Sequence, residues 1–140
     1  MAEESTTPDL VEIVQGVIDA TNASDIDAAA SFYAPHAVLD HSSIGIGIFE
    51  GYAAIRGFYE EWFGTFRDSH QEAEEIRDLG NGVGIAVIVQ GGHPPGSSGW
   101  VQLRYAPVVI WADGLIERQM TYTDIDEARA AAERLAQERG

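Results

Sequence analysis

The strongest constraint on this chain lies between Gly82 and Asp124. Residues 82–90 place Val83, Ile85, Val87 and Val89 between Gly84, Ala86 and Ile88, so this strand is apolar on both faces. A strand of that kind is covered on both sides by other structure. After a Gly/Pro/Ser-rich turn that includes His93, the run from Trp100 to Trp111 is rich in β-formers and reads as a second strand. Ala112-Asp113-Gly114 is a tight-turn signal, and Leu115 to Asp124 forms a third strand at once. The result is a β-meander too greasy to stand alone. The segments before it read as helices that lie in its concave face, and any pocket falls between the two.

Taken in order, Thr7 before Pro8 reads as a helix N-cap with proline at the first helical position. Leu10, Ile13, Val14, Val17 and Ile18 then form one apolar stripe, and Asn22-Ala23 ends the helix. Ser24 with Asp27 predicts a capping box for a second short helix, with Ile26, Ala29, Ala30 and Tyr33 buried and Pro35 as its stop. Ala37–His41 reads as a short strand, and Ser42–Phe49 as a bent, glycine-rich loop. From Gly51 a third helix carries Ile55, Phe58, Trp62 and Phe66 on one side. His70–Leu79 predicts an acidic, half-exposed strand turning at Gly80-Asn81-Gly82. Asp124 with Glu127 opens a last amphipathic helix through Ala128, Ala131, Ala132 and Leu135.

Composition narrows the function classes. The 140 residues suit a single domain over 1–140, with a core at about 9–130 and flexible ends. Cysteine is absent and there are four scattered histidines, which argues against disulfides, thiol chemistry and a structural zinc site. No apolar run approaches the roughly 18 residues of a membrane span, and Met1-Ala2-Glu3-Glu4 does not start a signal peptide; the expectation is a cytoplasmic protein. A formal charge of −15 opposes nucleic acid or anionic membrane as partner.

The order helix, helix, strand, helix, strand, meander resembles the nuclear transport factor 2-like superfamily, in its SnoaL-like and ketosteroid-isomerase-like branch. The likeness rests on Asn22-Ala23-Ser24-Asp25-Ile26-Asp27 with Phe32-Tyr33-Ala34, on Ala37-Val38-Leu39-Asp40-His41, and on Phe49-Glu50-Gly51 with Ala54-Ile55-Arg56. It continues through Trp111-Ala112-Asp113-Gly114-Leu115-Ile116 and Tyr122-Thr123-Asp124. The resemblance implies an α+β fold: a cone-shaped, curved, mostly antiparallel sheet wrapped around three N-terminal helices, with a short C-terminal helix. It also implies a cofactor-independent acid–base enzyme of the isomerase, cyclase or dehydratase type, acting on an apolar, cyclic or polyketide-like molecule. A non-catalytic ligand-binding or dimerisation module of the same fold is the alternative. The positions matching the ketosteroid isomerase tyrosine, base and second acid are Val17, His41 and Pro107, so the oxyanion-binding pair of that enzyme is missing. For the Asp-Arg-Asp set of epoxide hydrolases, Asp124 matches one acid, while the strand owing the other two residues reads Gly84-Ile85-Ala86-Val87-Ile88.

His41 falls where the superfamily's pocket base sits, and a neutral imidazole can take or give a proton near pH 7. The plainer reading is a strand-end histidine bonded to backbone or solvent. Asp40 is the substitute, since a one-residue register change exchanges the two; otherwise it is a turn-capping acid. Asp124 would share a strand face with Met120 and Tyr122, and would orient His41 or act as the acid–base itself; as an N-cap it needs no other reason. Tyr122 offers a hydroxyl to a substrate oxygen. Val17, Tyr33, Phe58, Trp62, Tyr105, Trp111 and Met120 are the candidate substrate-contacting side chains of an apolar pocket, or else plain core. Arg104 alternates to the outer sheet face, which in this superfamily often meets a second subunit, so a homodimer through that face is expected. His93, in the turn, reads as solvent-exposed. Neither a metal nor an organic cofactor is implied.

Overall fold

A computed structural model of the chain describes residues 9–65, 67–93, 96 and 98–140. It has four α-helices, α1 (Leu10–Asn22), α2 (Ile26–Ala30), α3 (Tyr52–Thr65) and α4 (Ile125–Arg139). Six strands, β1 (Tyr33–His41), β2 (Gly47–Glu50), β3 (Arg67–Gly80), β4 (Val83–His93), β5 (Val101–Ala112) and β6 (Leu115–Tyr122), form one curved, open sheet. The spatial order is β2-β1-β6-β5-β4-β3. Every neighbouring pair is antiparallel except β1 with β6, which is parallel. This is the α+β cone expected from the sequence.

Local chemistry explains the elements. Asp9 caps α1 in a reciprocal box: Glu12 N–H donates to Asp9 Oδ1 at 2.9 Å, and Asp9 N–H to Glu12 Oε1 at 3.0 Å. The cap is therefore Asp9, while Thr7 and Pro8 lie outside the described residues, as does Phe66. Asp25, one residue later than expected, caps α2 by accepting from Ala28 N–H at 3.1 Å. Ser24, the expected cap, instead takes a left-handed turn with φ 56°. Tyr33 belongs not to α2 but to β1, which runs through Pro35 and ends at His41. Proline is admissible in this stretch because the β1–β6 register shifts between Tyr33 and Val38. The Ser42–Phe49 segment resolves into a single 3-10 turn over Ser42–Ile44 and the edge strand β2.

Two hairpins fix the meander's register. Asn81 and Gly82 have φ 60° and 77°, and Asp113 and Gly114 have 54° and 79°. Positive φ at both central residues is the geometry that suits two-residue hairpin loops, and Asn-Gly and Asp-Gly tolerate it best.

The sheet carries a core on each face. On the concave face Leu10, Ile13, Val14 and Ile18 of α1 pack with Leu39, Ile55, Ala86, Ile88 and Val109. On the convex face Val83, Ile85, Ala106 and Val108 pack under Ala128, Ala132 and Ala136 of α4. The both-faces-apolar character of β4 is thereby explained. Its far side is covered by the chain's own last helix, over part of the face expected to meet a second subunit. Asn22 ties α1 to β3 as a strand would, with its Oδ1 accepting from Gln71 N–H at 2.7 Å and its Nδ2 donating to Gln71 O at 2.9 Å.

Candidate functional site

Between α1, α3 and the concave face of the sheet lies a cavity of about 380 Å³. Val14, Val17 and Ile18 of α1 form one wall, and Phe58, Tyr59 and Trp62 of α3 another. Ile88, Leu103, Tyr105, Pro107 and Val109 supply the sheet side, and Ile44 and Ile46 border it from the turn after β1. The helical spacing of α3 is what stacks its aromatics. Phe58 is the hub, with ring centroids 4.8 Å from His41, 5.1 Å from Phe49, 5.2 Å from Tyr59 and 5.8 Å from Trp62.

His41 lines this cavity and is 6% exposed. Its Nδ1 is buried and has no hydrogen-bond partner. Burial lowers its pKa from the ordinary 6.5 to about 4, with the nearby Asp40 carboxylate partly opposing the shift. The imidazole is thus neutral across the physiological range and holds an unused nitrogen. Leu39 and His41 share the inward face of β1, as strand alternation requires, and Asp40 points away. Asp40 accepts from the Ser42 backbone N–H at 2.9 Å and from the Ser42 hydroxyl at 2.5 Å, and these two bonds hold its carboxyl below the usual range.

Other expected site residues lie elsewhere. From β6 and its extension Ile116, Gln119 and Thr123 border the cavity, and the buried Thr121 shares the inward face of the last two. Met120 and Tyr122 alternate to the convex face and pack on the cluster beneath α4. The side-chain period of two moves the whole set together, so the expectation that 120, 122 and 124 face the pocket is one residue out of phase. Asp124 is exposed and caps α4, accepting from Glu127 N–H at 3.0 Å. Trp111 packs against the concave core outside the cavity wall, beyond a register shift between Ile110 and Trp111. Tyr33 is buried behind the wall, its hydroxyl 2.8 Å from that of Tyr59 and donating to Gln119 Oε1 at 2.9 Å. Val17, Phe58, Trp62 and Tyr105 do line the cavity. Arg104, expected only on the outer face, is exposed and pairs with Glu74 at 2.8 Å but also borders the cavity. His93 ends β4 half-buried, its ring edge-on to Trp100 at 5.4 Å.

The sequence reading missed six polar side chains in the wall: Thr21, Tyr59, Gln71, Gln90, Gln119 and Thr123. Gln71 and Gln90 are direct partners across β3 and β4, and Gln71 Nε2 donates to Gln90 Oε1 at 2.8 Å and to the Tyr105 hydroxyl at 2.9 Å. One signal was present: Gln90 is the single polar side chain in the run from Val83, and it is only 2% exposed. Burial raises the pKa of Tyr33, Tyr59 and Tyr105, so all three remain neutral donors. Among the described residues no group of three or more His, Cys, Asp or Glu converges as a metal site requires. Nor is any helix among them long and apolar enough to cross a membrane.

The sequence profile of the SnoaL-like domain matches residues 14–119, three quarters of the chain, from the first cavity wall to the Gln119 strand. The chain belongs to the SnoaL-like domain family. No curated protein sequence matches it. Solved structures resemble it closely in fold. One is a hypothetical protein with a ketosteroid isomerase-like fold from Catenulispora acidiphila DSM 44928, in complex with trimethylamine. It is 20% identical, with 91% of this chain and 94% of that one covered, at a TM-score of 0.74. The epoxide hydrolase/cyclase-like enzyme SalBIII of pyran ring formation in salinomycin is 16% identical, covering 83% and 91%, at 0.70. A protein provisionally assigned as a polyketide cyclase, from Xanthomonas campestris pv. campestris, is 22% identical, covering 86% and 94%, at 0.67. At such identities the likeness is one of fold. The SnoaL-like cone therefore accounts for the cavity's position, while its chemistry rests on the residues of this chain.

Proposed function

We propose that this SnoaL-like protein is an acid–base enzyme of the isomerase, cyclase or dehydratase type, acting on a small apolar, cyclic or polyketide-like molecule. The observation that carries this reading is His41: a neutral imidazole on the wall of an apolar cavity, its buried Nδ1 held by no partner. An imidazole so placed can accept a proton from a carbon next to a carbonyl. The C–H electron pair moves into the enolate, and the same proton returns to a different carbon or assists loss of a hydroxyl. The low pKa of the free imidazole is no bar, because the imidazolium forms only as the enolate oxygen gains charge beside it. The names carried by the similar structures, a polyketide cyclase and SalBIII among them, favour the same class.

A second reading, binding without turnover, is favoured by one feature. Among the described residues that line the cavity, none is a carboxylate. His41 therefore has no acid to orient it in the manner of a dyad.

Hydrogen–deuterium exchange at the α-carbons of cyclic ketones and β-diketones, followed by NMR, separates the two. The enzyme reading expects exchange by the wild type that drops roughly 10²–10⁴-fold in His41→Gln, with ligand affinity retained. Equal exchange in both proteins removes His41 as the base, and binding without exchange favours the second reading. For assembly we propose a homodimer through the part of the convex sheet face that α4 leaves open, around Arg104 and Glu74.

A further inference from the structure

Two tyrosine-centred hydrogen-bond arrays border the cavity, and their proton counts differ. In the first, Tyr33 donates to Gln119 Oε1 at 2.9 Å and lies 2.8 Å from the Tyr59 hydroxyl. A phenol has one proton, so Tyr33 spends its own on Gln119 and the Tyr59 proton goes to Tyr33. Gln119 Nε2 in turn reaches Thr121 Oγ1 at 3.3 Å. Both phenolic protons of this array are consumed within it.

The second array is open. Gln71 Nε2 carries two protons and divides them between Gln90 Oε1, at 2.8 Å, and the Tyr105 hydroxyl oxygen, at 2.9 Å. Tyr105 therefore acts as acceptor, and among the described residues its own O–H has no acceptor. Tyr105, Gln71 and Gln90 all line the cavity. A donor left over in an apolar wall is unfavourable until something accepts from it, and buried polar groups of native proteins are nearly always paired. Accepting from Gln71 also polarises the Tyr105 O–H and makes it the stronger donor.

We propose that Tyr105 is the specificity-determining donor of the cavity and binds an acceptor oxygen, a ketone or ester carbonyl, on an otherwise apolar ligand. Gln71, oriented by Gln90, is its positioning residue. This rests on the reading of the cavity as a site for an apolar small molecule, and it names the one polar feature that molecule must carry.

The test compares two probes of one bicyclic skeleton, 2-tetralone and its parent hydrocarbon tetralin, titrated by tryptophan fluorescence into the 140-residue chain and its Tyr105→Phe variant. The wild type prefers the ketone, and that preference falls about tenfold in Tyr105→Phe, the fold-change of one net hydrogen bond. Tetralin binds both proteins alike. Independently of any variant, the infrared carbonyl stretch of 2-tetralone bound to the wild type lies below its frequency in an alkane solvent. An unchanged ketone preference in Tyr105→Phe, or an unshifted carbonyl band in the wild type, overturns the assignment. If neither probe enters, both this inference and the cavity reading fall. If His41→Gln leaves exchange intact while the ketone preference still depends on Tyr105, the base assignment alone falls.

Discussion

His41 carries a charge-linked consequence that can be measured without knowing any substrate. Its pKa is about 4 in the folded chain against an ordinary 6.5. As pH falls through 6.5 the unfolded chain takes up a proton that the folded chain refuses until about pH 4, so stability is lost over that window and is fully present above it. The loss attributable to this one side chain is at most about 3 kcal/mol. Urea unfolding between pH 7.5 and 4 tests it: the midpoint of the wild type falls more steeply below pH 6.5 than that of His41→Leu. Equal slopes mean that the ring is hydrated or paired in solution. For the same reason, any turnover that uses His41 as base has a kcat/KM without an inflection near 6.5. At this scale the sequence was partly legible. Strand alternation separated inward His41 from outward Asp40 in principle, but the register that decides between them is set by pairing with β2 and β6, which one strand alone does not reveal.

Among elements, α4 shows where local signals are sound and where they stop. The Asp124–Glu127 pattern marked its start, and Asp124 does cap it. The same pattern left open whether that carboxylate also faced the pocket, because capping and strand alternation compete for one residue at the β6–α4 junction. Asp124→Ala is expected to lower stability by about 1 kcal/mol, and Asp124→Asn by little, since asparagine caps nearly as well. Both leave exchange activity and ligand affinity at wild-type values. A loss of turnover in Asp124→Asn with stability intact would return this residue to the site. The stripe at Ala128, Ala131, Ala132 and Leu135 identified a buried helix face, though Ala136 is buried in place of Leu135, and it carried no information on which side of the sheet the helix lay. The polar wall was hidden for a related reason. Gln71 and Gln90 lie far apart in sequence and become partners only once the Asn81-Gly82 turn has set the β3–β4 register. Counting back from that turn misses the pair by two residues, because the register shifts between Asp78 and Gly80 and again between Ala73 and Glu75.

For the molecule as a whole, α4 divides the convex sheet face into a covered half and an open one. The open half holds Arg104 and Glu74, and the dimer proposed for it brings together two chains of formal charge −15. Repulsion between them is screened by salt, so the dissociation constant should fall as sodium chloride rises from 0.02 to about 0.3 M, over which the Debye length shrinks from roughly 20 to 6 Å. Sedimentation velocity should show this, and Arg104→Glu should yield monomer at every salt concentration; a monomeric wild type at high concentration ends the proposal. The meander, the α1 stripe and both hairpin turns, all local in sequence, could be read without coordinates. The parallel pairing of β1 with β6 could not, since some 80 residues separate its partners, as Leu39 and Gln119 show. That pairing also bears on how the chain is made. While the ribosome is still adding β3 to β5, β1 and β2 have no sheet to join, and Leu39 and His41 have no wall to complete. The cavity is closed only after β6 has emerged, so the His41 site is among the last parts of the nascent chain to take shape, and the chain is most open to chaperones and to aggregation just before it does.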